Sequence, residues 1–180
     1  SSGANDDFGY AFALSNDMLA IGAPGSTGET SVGAVSLYTR THDSMGDSWA
    51  FVTMLRVDGT SNFGAELALD GDRLLVGNPD ATVGGNMQQG AAYVFERNAG
   101  GADVWGQTAT ITAVGGAEFD GLGGAVALDG DRALIGAANY DTGRGIAYVF
   151  ERNEGGADMW GQTHVITATD GATGDLFGVL

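Results

Sequence analysis

The chain has 180 residues, 43% of them hydrophobic, enough for one packed domain or for one slice of a larger one. Seven Arg and no Lys stand against 23 acidic residues, and the net charge of −16 excludes the basic patch that a nucleic acid or an anionic membrane would need. The absence of cysteine removes disulfides, thiol catalysis and thiolate metal sites, while 32 Gly without a collagen period point to tight turns and close backbone approaches. No apolar run reaches the roughly 18 residues of a membrane span. The segment opens with Ser1-Ser2-Gly3 and carries no signal-peptide pattern, so a secreted chain would have its signal outside it.

Taken in chain order, the first block is FGYAFALSNDMLAIGAP from Phe8, in which Phe8, Tyr10, Phe12 and Leu14 alternate with Gly9, Ala11 and Ala13. A period of two predicts a strand, bulky on one face and small on the other, as expected between two packed sheets. GAVSLYTR, Gly33 to Arg40, follows as a further strand, and Trp49 comes after it.

The second block, FGAELALDGDRLLVGNP from Phe63, sets Phe63, Ala65, Leu67 and Leu69 against Gly64, Glu66 and Ala68. Asp70-Gly71 predicts a two-residue type I′ hairpin, after which Leu74 to Gly77 is the second strand. Ala91 to Arg97 is the third, with Tyr93 and Phe95 on one face and Val94 on the other. Trp105 to Ala113 is the fourth; its alternating Thr and Gln mark it as an outer, solvated strand. The third block, LGGAVALDGDRALIGAA from Leu122, repeats the plan: a hairpin at Asp129-Gly130, then strands Ala133 to Gly136, Ile146 to Arg152 and Trp160 to Ala168. Phe177-Gly178 begins a fourth copy.

The copies are close. Gly90 to Ala113 and Gly145 to Ala168 agree at 19 of 24 positions. Units therefore span 8–62, 63–121 and 122–176, with a stub at 177–180, and no segment offers ten residues of helical period. Four antiparallel strands in tandem units of about 55 residues read as all-β propeller blades. A twelve-stranded sandwich is the alternative, but it has no reason to reuse the same side chains at the same offset.

Phe8-Gly9 followed by Gly22-Ala23-Pro24 resembles the FG-GAP signature, echoed by Phe63-Gly64 with Gly77-Asn78-Pro79 and by Leu122-Gly123 with Gly136-Ala137-Ala138. The sequence is similar to FG-GAP repeat proteins, among them the integrin α-subunit head domains, and looks closest to bacterial and archaeal surface proteins of this type. The resemblance implies a propeller whose partners bind on one rim. Seven blades close the integrin ring, so three whole units imply an incomplete segment of a longer array, with two three-blade chains sharing a ring as the alternative. The resemblance also raises calcium. Integrin-type blades carry a DxDxDG loop between their first two strands, whereas this chain has only Ser15-Asn16-Asp17, Asp70-Gly71-Asp72 and Asp129-Gly130-Asp131 there, too few oxygens for six to eight ligands. These are read as turn residues, and no metal or cofactor is expected.

The partner-binding rim comprises the loops Gly25 to Val32, Asp80 to Gln89 and Asn139 to Arg144 within units, and Asp58 to Asn62, Val114 to Gly121 and Thr169 to Asp175 between them. They vary most among the copies, as a recognition surface on a repeated scaffold would. Asp80, Asp120, Asp141, Asp170 and Asp175 would make this rim acidic.

No catalytic constellation is expected. His42 and His164 occupy non-equivalent places, all nine serines lie at or before Ser61, and no GxSxG, HExxH, P-loop or GxGxxG pattern occurs. Trp105 and Trp160 could stack on a sugar, but their repetition favours packing. The expected function is a non-enzymatic extracellular adhesion or binding scaffold, with a protein or glycan ligand on the rim. An accessory propeller of a larger secreted hydrolase is the alternative. Arg-only positive charge and 17 Asp spread over the units point to a saline source.

Overall fold

Period-two patterning becomes three separate four-stranded antiparallel sheets. The computed structural model describes residues 7–25, 32–44, 46–57 and 61–179. Blade 1 is β1 (Phe12–Ser15), β2 (Met18–Ala23), β3 (Ala34–Asp43) and β4 (Gly46–Leu55). Blade 2 is β5 (Glu66–Asp70), β6 (Arg73–Asn78), β7 (Ala91–Glu96) and β8 (Gly106–Ile111); blade 3 is β9 (Leu122–Asp129), β10 (Arg132–Ala137), β11 (Ile146–Arg152) and β12 (Trp160–Ile166). Each sheet runs in sequence order, each strand paired with the next, so the fourth strands lie at the outer edge. Among the described residues the chain is all-β apart from one turn, α1 (Tyr140–Gly143), in which Asp141 and Thr142 have φ of 47° and 59° and are not helical. Three sheets stacked in series are propeller blades, and the sandwich reading is set aside.

Blades 2 and 3 each pack one face against the blade before. Phe63, Leu67, Leu74, Val76, Tyr93 and Phe95 of blade 2 meet Met18, Ala20, Val35 and Leu37 of blade 1. Leu122, Val126, Ile135, Tyr148 and Phe150 of blade 3 meet Leu75, Ala92, Val94 and Ile111 of blade 2. Tyr93 and Val94 thus enter different cores, as alternation on β7 requires.

The strand starts and the hairpin loops differ from the sequence expectations. The first strands of blades 1 and 2 start at Phe12 and Glu66 rather than Phe8 and Phe63, because Phe8–Gly9 and Phe63–Gly64 form turns, with Gly9 and Gly64 both at φ 92°. Phe63 is nevertheless completely buried in the shared core. The hairpin loop is Gly71-Asp72, since Asp70 pairs with Arg73, and φ is positive at Gly71 (56°) but not at Asp72. Gly130 (53°) and Asn16 (51°) repeat this. A type I′ turn needs positive φ at both central residues, so that assignment is corrected.

Candidate functional site

The rim that carries the variable loops holds a cleft of about 490 Å³ between blades 2 and 3. Asp80 and Gln88 come from the loop between β6 and β7, and Phe119 and Gly121 from the segment entering blade 3. Asn139, Thr142 and Gly143 come from the loop between β10 and β11, and Gly174 and Leu176 from the segment after β12. Backbone bonds between these loops fix the walls. Phe119, Gly121 and Leu122 donate N–H to the carbonyls of Met87, Gln88 and Gln89, each at 3.0 Å, and Leu176 donates to Gly143 O at 2.8 Å.

Within the cleft, Asp80 is held from both sides, by Asn62 Nδ2 at 2.9 Å and Gln88 Nε2 at 3.0 Å. Phe119 is 52% exposed and Leu176 41%, so an aromatic face and an aliphatic side chain stand beside a fixed carboxylate and neutral amides. That mixture of an apolar wall with a few oriented polar groups can bind a polar ligand with an apolar edge.

Of the five rim aspartates, Asp120 alone is buried, and most of the others are tied to neighbouring groups. Asp120 is buried, its Oδ2 accepting from Ala117 N at 2.7 Å, and its carboxylate helps burial raise the Tyr148 phenol above its ordinary pKa. Asp175 folds back in the same way onto Ala172 N at 2.6 Å, and Asp141 pairs with Arg144 at 3.1 Å. Asp170 is exposed but does not line the cleft. Of the five, only Asp80 does. Residues 26–31 and 58–60, which make up most of two further rim loops, lie outside the described residues. Sequence reasoning missed Leu176, which lies just past the rim loops and lines the cleft, and it missed Asn78. Asn78, read only as a variant of the Gly-Ala-Pro motif, is fully buried next to Pro79, its Oδ1 accepting from Asp80 N at 3.2 Å and its Nδ2 without a partner.

The hairpin acids on the opposite rim join blades. Gly71 N donates to Ser15 Oγ at 3.0 Å, and one blade further on Gly130 N donates to Asp70 Oδ2 at 2.7 Å. Asp131 pairs with Arg73 at 3.1 Å and with Arg152 at 3.6 Å, and Asp72 with Arg97 at 3.6 Å. Among the described residues no three His, Asp or Glu side chains come together as a group that could hold a metal ion. His42 pairs with Asp47 at the exposed tip of the β3–β4 hairpin, and His164 is exposed on β12, so the structure does not bring the histidines together. The Asp47 carboxyl lies below its usual pKa because Arg40 and then His42 hydrogen-bond to it.

The tryptophans pack. Trp105 is buried in the core between blades 1 and 2, and Trp160 lies against the core between blades 2 and 3.

One contact recurs at every junction. A Cβ placed on Gly22 would collide with the carbonyl of Gly64, one on Gly77 with that of Gly123, and one on Gly136 with that of Gly178. Gly33, Gly90 and Gly145 meet the carbonyls of Phe63, Leu122 and Phe177 in the same way. The Phe63-Gly64, Leu122-Gly123 and Phe177-Gly178 pairs therefore each sit on two glycines of the unit before. A family model of the FG-GAP repeat matches residues 2–38, 57–95 and 105–150. The chain belongs to the FG-GAP repeat family. No curated protein matches it. The FG-GAP motif has a physical meaning here: the FG dipeptide is a key, and the glycine of the preceding Gly-Ala-Pro is the lock, kept bare because backbone must touch backbone. The residue before each FG pair is left-handed in all four copies, Asp7 (51°), Asn62 (62°), Gly121 (69°) and Leu176 (54°), a turn that drives the key inward. Among the described residues no helix is long and apolar enough to cross a membrane.

Proposed function

We propose that this FG-GAP chain is a non-enzymatic binding scaffold that works outside the cell in adhesion, holding a protein or glycan ligand in the cleft between blades 2 and 3. The supporting observation is that cleft. Loops that differ among the repeats build it, cross-loop backbone bonds hold it open, and exposed Phe119 and Leu176 line it beside Asp80, Asn139 and Thr142. An aromatic face next to a fixed carboxylate suits a sugar ring, or a basic side chain stacked and ion-paired at once. The separation of His42 from His164, with neither next to the cleft, supports binding rather than catalysis. The strongly acidic, Lys-free composition supports a saline setting.

A glycan array and a panel of matrix proteins, probed with the wild-type chain and with Phe119→Ala and Asp80→Ala, test this reading. A ligand whose affinity falls by about tenfold or more in both variants is expected, because groups at the centre of a small site carry most of the binding energy. Binding of nothing above background, or equal binding by all three proteins, overturns it.

A further inference from the structure

Among the described residues, most non-glycine positions with a left-handed backbone are Asn or Asp, the side chains that tolerate it. The exceptions are Gln88 (φ 51°), Phe119 (68°), Thr142 (59°) and Leu176 (54°), and all of them line the cleft between blades 2 and 3. Leu176 sits in the turn that precedes an FG pair, but Gln88, Phe119 and Thr142 do not. Unfavourable backbone of this kind gathers at binding sites, where neighbouring contacts hold it. Phe119 is 52% exposed as well, so neither its backbone preference nor burial of its ring accounts for its place in the wall. A ligand with an apolar face does.

The polar side of the cleft narrows the ligand further. Asp80 is the charged side chain among the described lining residues, and its oxygens accept from two neutral amides, Asn62 Nδ2 at 2.9 Å and Gln88 Nε2 at 3.0 Å. The carboxylate is thus fixed without being neutralised, in a chain whose net charge is −16. Anions are repelled there and a cation is favoured. A bare cation would leave the rest of the wall unused. Asn139 brings an amide that makes no side-chain hydrogen bond among the described residues, Gln88 keeps its Oε1 as an acceptor, and Thr142 adds a hydroxyl. At about 490 Å³ the cleft has the size of a small-molecule site rather than of a slot for one side chain.

We propose, on the binding reading above, that the cleft takes a glycan by an amino sugar whose amine is free and protonated. The ammonium pairs with Asp80, the C–H face of the ring lies on Phe119, and ring hydroxyls meet Asn139, Gln88 and Thr142. This ligand uses the fixed charge, the aromatic face and the neutral polar groups at once. N-acetylation removes the charge and leaves Asp80 facing a neutral N–H. A uronic or sialic acid brings a second negative charge to a carboxylate that has no cation beside it in the cleft wall.

Titration calorimetry at about pH 6, where such an amine is protonated and a carboxylate ionised, tests this with a glucosamine tetrasaccharide, its N-acetylated counterpart and tetralysine. The free-amine sugar is expected to bind about tenfold or more tighter than either of the others, the effect of one charge-assisted hydrogen bond added to ring contacts. Asp80→Asn is expected to remove the preference over the N-acetylated form, and Phe119→Ala to weaken both sugars. Asp129→Asn, which deletes the same charge at an exposed position on the opposite rim, is expected to change neither. Equal or tighter binding of the N-acetylated sugar overturns the proposal while leaving a glycan in the cleft. Tetralysine binding as tightly as the free-amine sugar overturns it in favour of a charged surface open to basic peptides. No binding of the free-amine sugar, or a preference that Asp80→Asn leaves intact or Asp129→Asn removes equally, overturns it too, and the glycan array then still tests the broader reading.

Discussion

The guanidinium of Arg73 in blade 2 lies over the indole of Trp160 in blade 3, its Cζ 5.6 Å from the ring centroid. The same guanidinium pairs with Glu96 at 2.8 Å within its own blade and with Asp131 at 3.1 Å on the next. Its side chain is only 16% exposed, so these contacts are poorly screened. Arg73→Ala is expected to cost about 2–3 kcal/mol in urea unfolding, through the lost stacking and a Glu96 left short of its partner. Arg73→Lys recovers less than half of that, because an ammonium cannot stack and fork at once.

The lock glycines make a sharper prediction. Gly77→Ala puts a methyl group into the Gly123 carbonyl, a backbone atom that cannot swing aside, and about 3 kcal/mol of destabilisation is expected. Gly84→Ala is the control. Its φ is 61°, but a Cβ there meets nothing within 4 Å, so only the backbone preference is lost, about 1 kcal/mol. Equal effects in thermal unfolding would show that the close approach is not what holds the blades.

Glu66, half-buried on the small face of blade 2, has its pKa raised by burial. The folded chain keeps this proton to a higher pH than the unfolded chain, so the stability linked to it is full below the ordinary carboxylate range. It is lost as pH rises through that range to the raised value. Glu66→Gln should therefore stabilise the protein at pH 7, by under about 1 kcal/mol after allowing for solvent screening, and make no difference near pH 3. Paired denaturant midpoints at the two pH values check the sign.

A net charge of −16 on 18.2 kDa repels itself in dilute buffer. The melting temperature is expected to rise steadily from about 0.01 M to about 1 M NaCl, as the screening length falls from roughly 30 Å to 3 Å. A maximum at the lowest salt would remove the case for a saline source.

Most of the blade plan was legible because it is local. Alternation on β7 assigns Tyr93 and Val94 to opposite faces whatever the neighbours are, and the offset between Gly90–Ala113 and Gly145–Ala168 counts the units. The hairpin loops were misread by one residue because Asp70 and Asp129 still belong to their strands, pairing with Arg73 and Arg132, a register set by strand pairing and not by the Asp-Gly dipeptide. Of the rim aspartates, composition could not show that Asp120 is buried, because its carboxylate turns inward to accept the N–H of Ala117, three residues back.

By itself the sequence determined the strands, the repeat and the FG-GAP identity, since period and spacing are properties of neighbouring residues. Only the tertiary structure decided which glycines touch, where Arg73 finds Trp160, and which loops close around the cleft at Asp80. Those contacts join residues from different blades, and their energies exist only once the sheets are stacked.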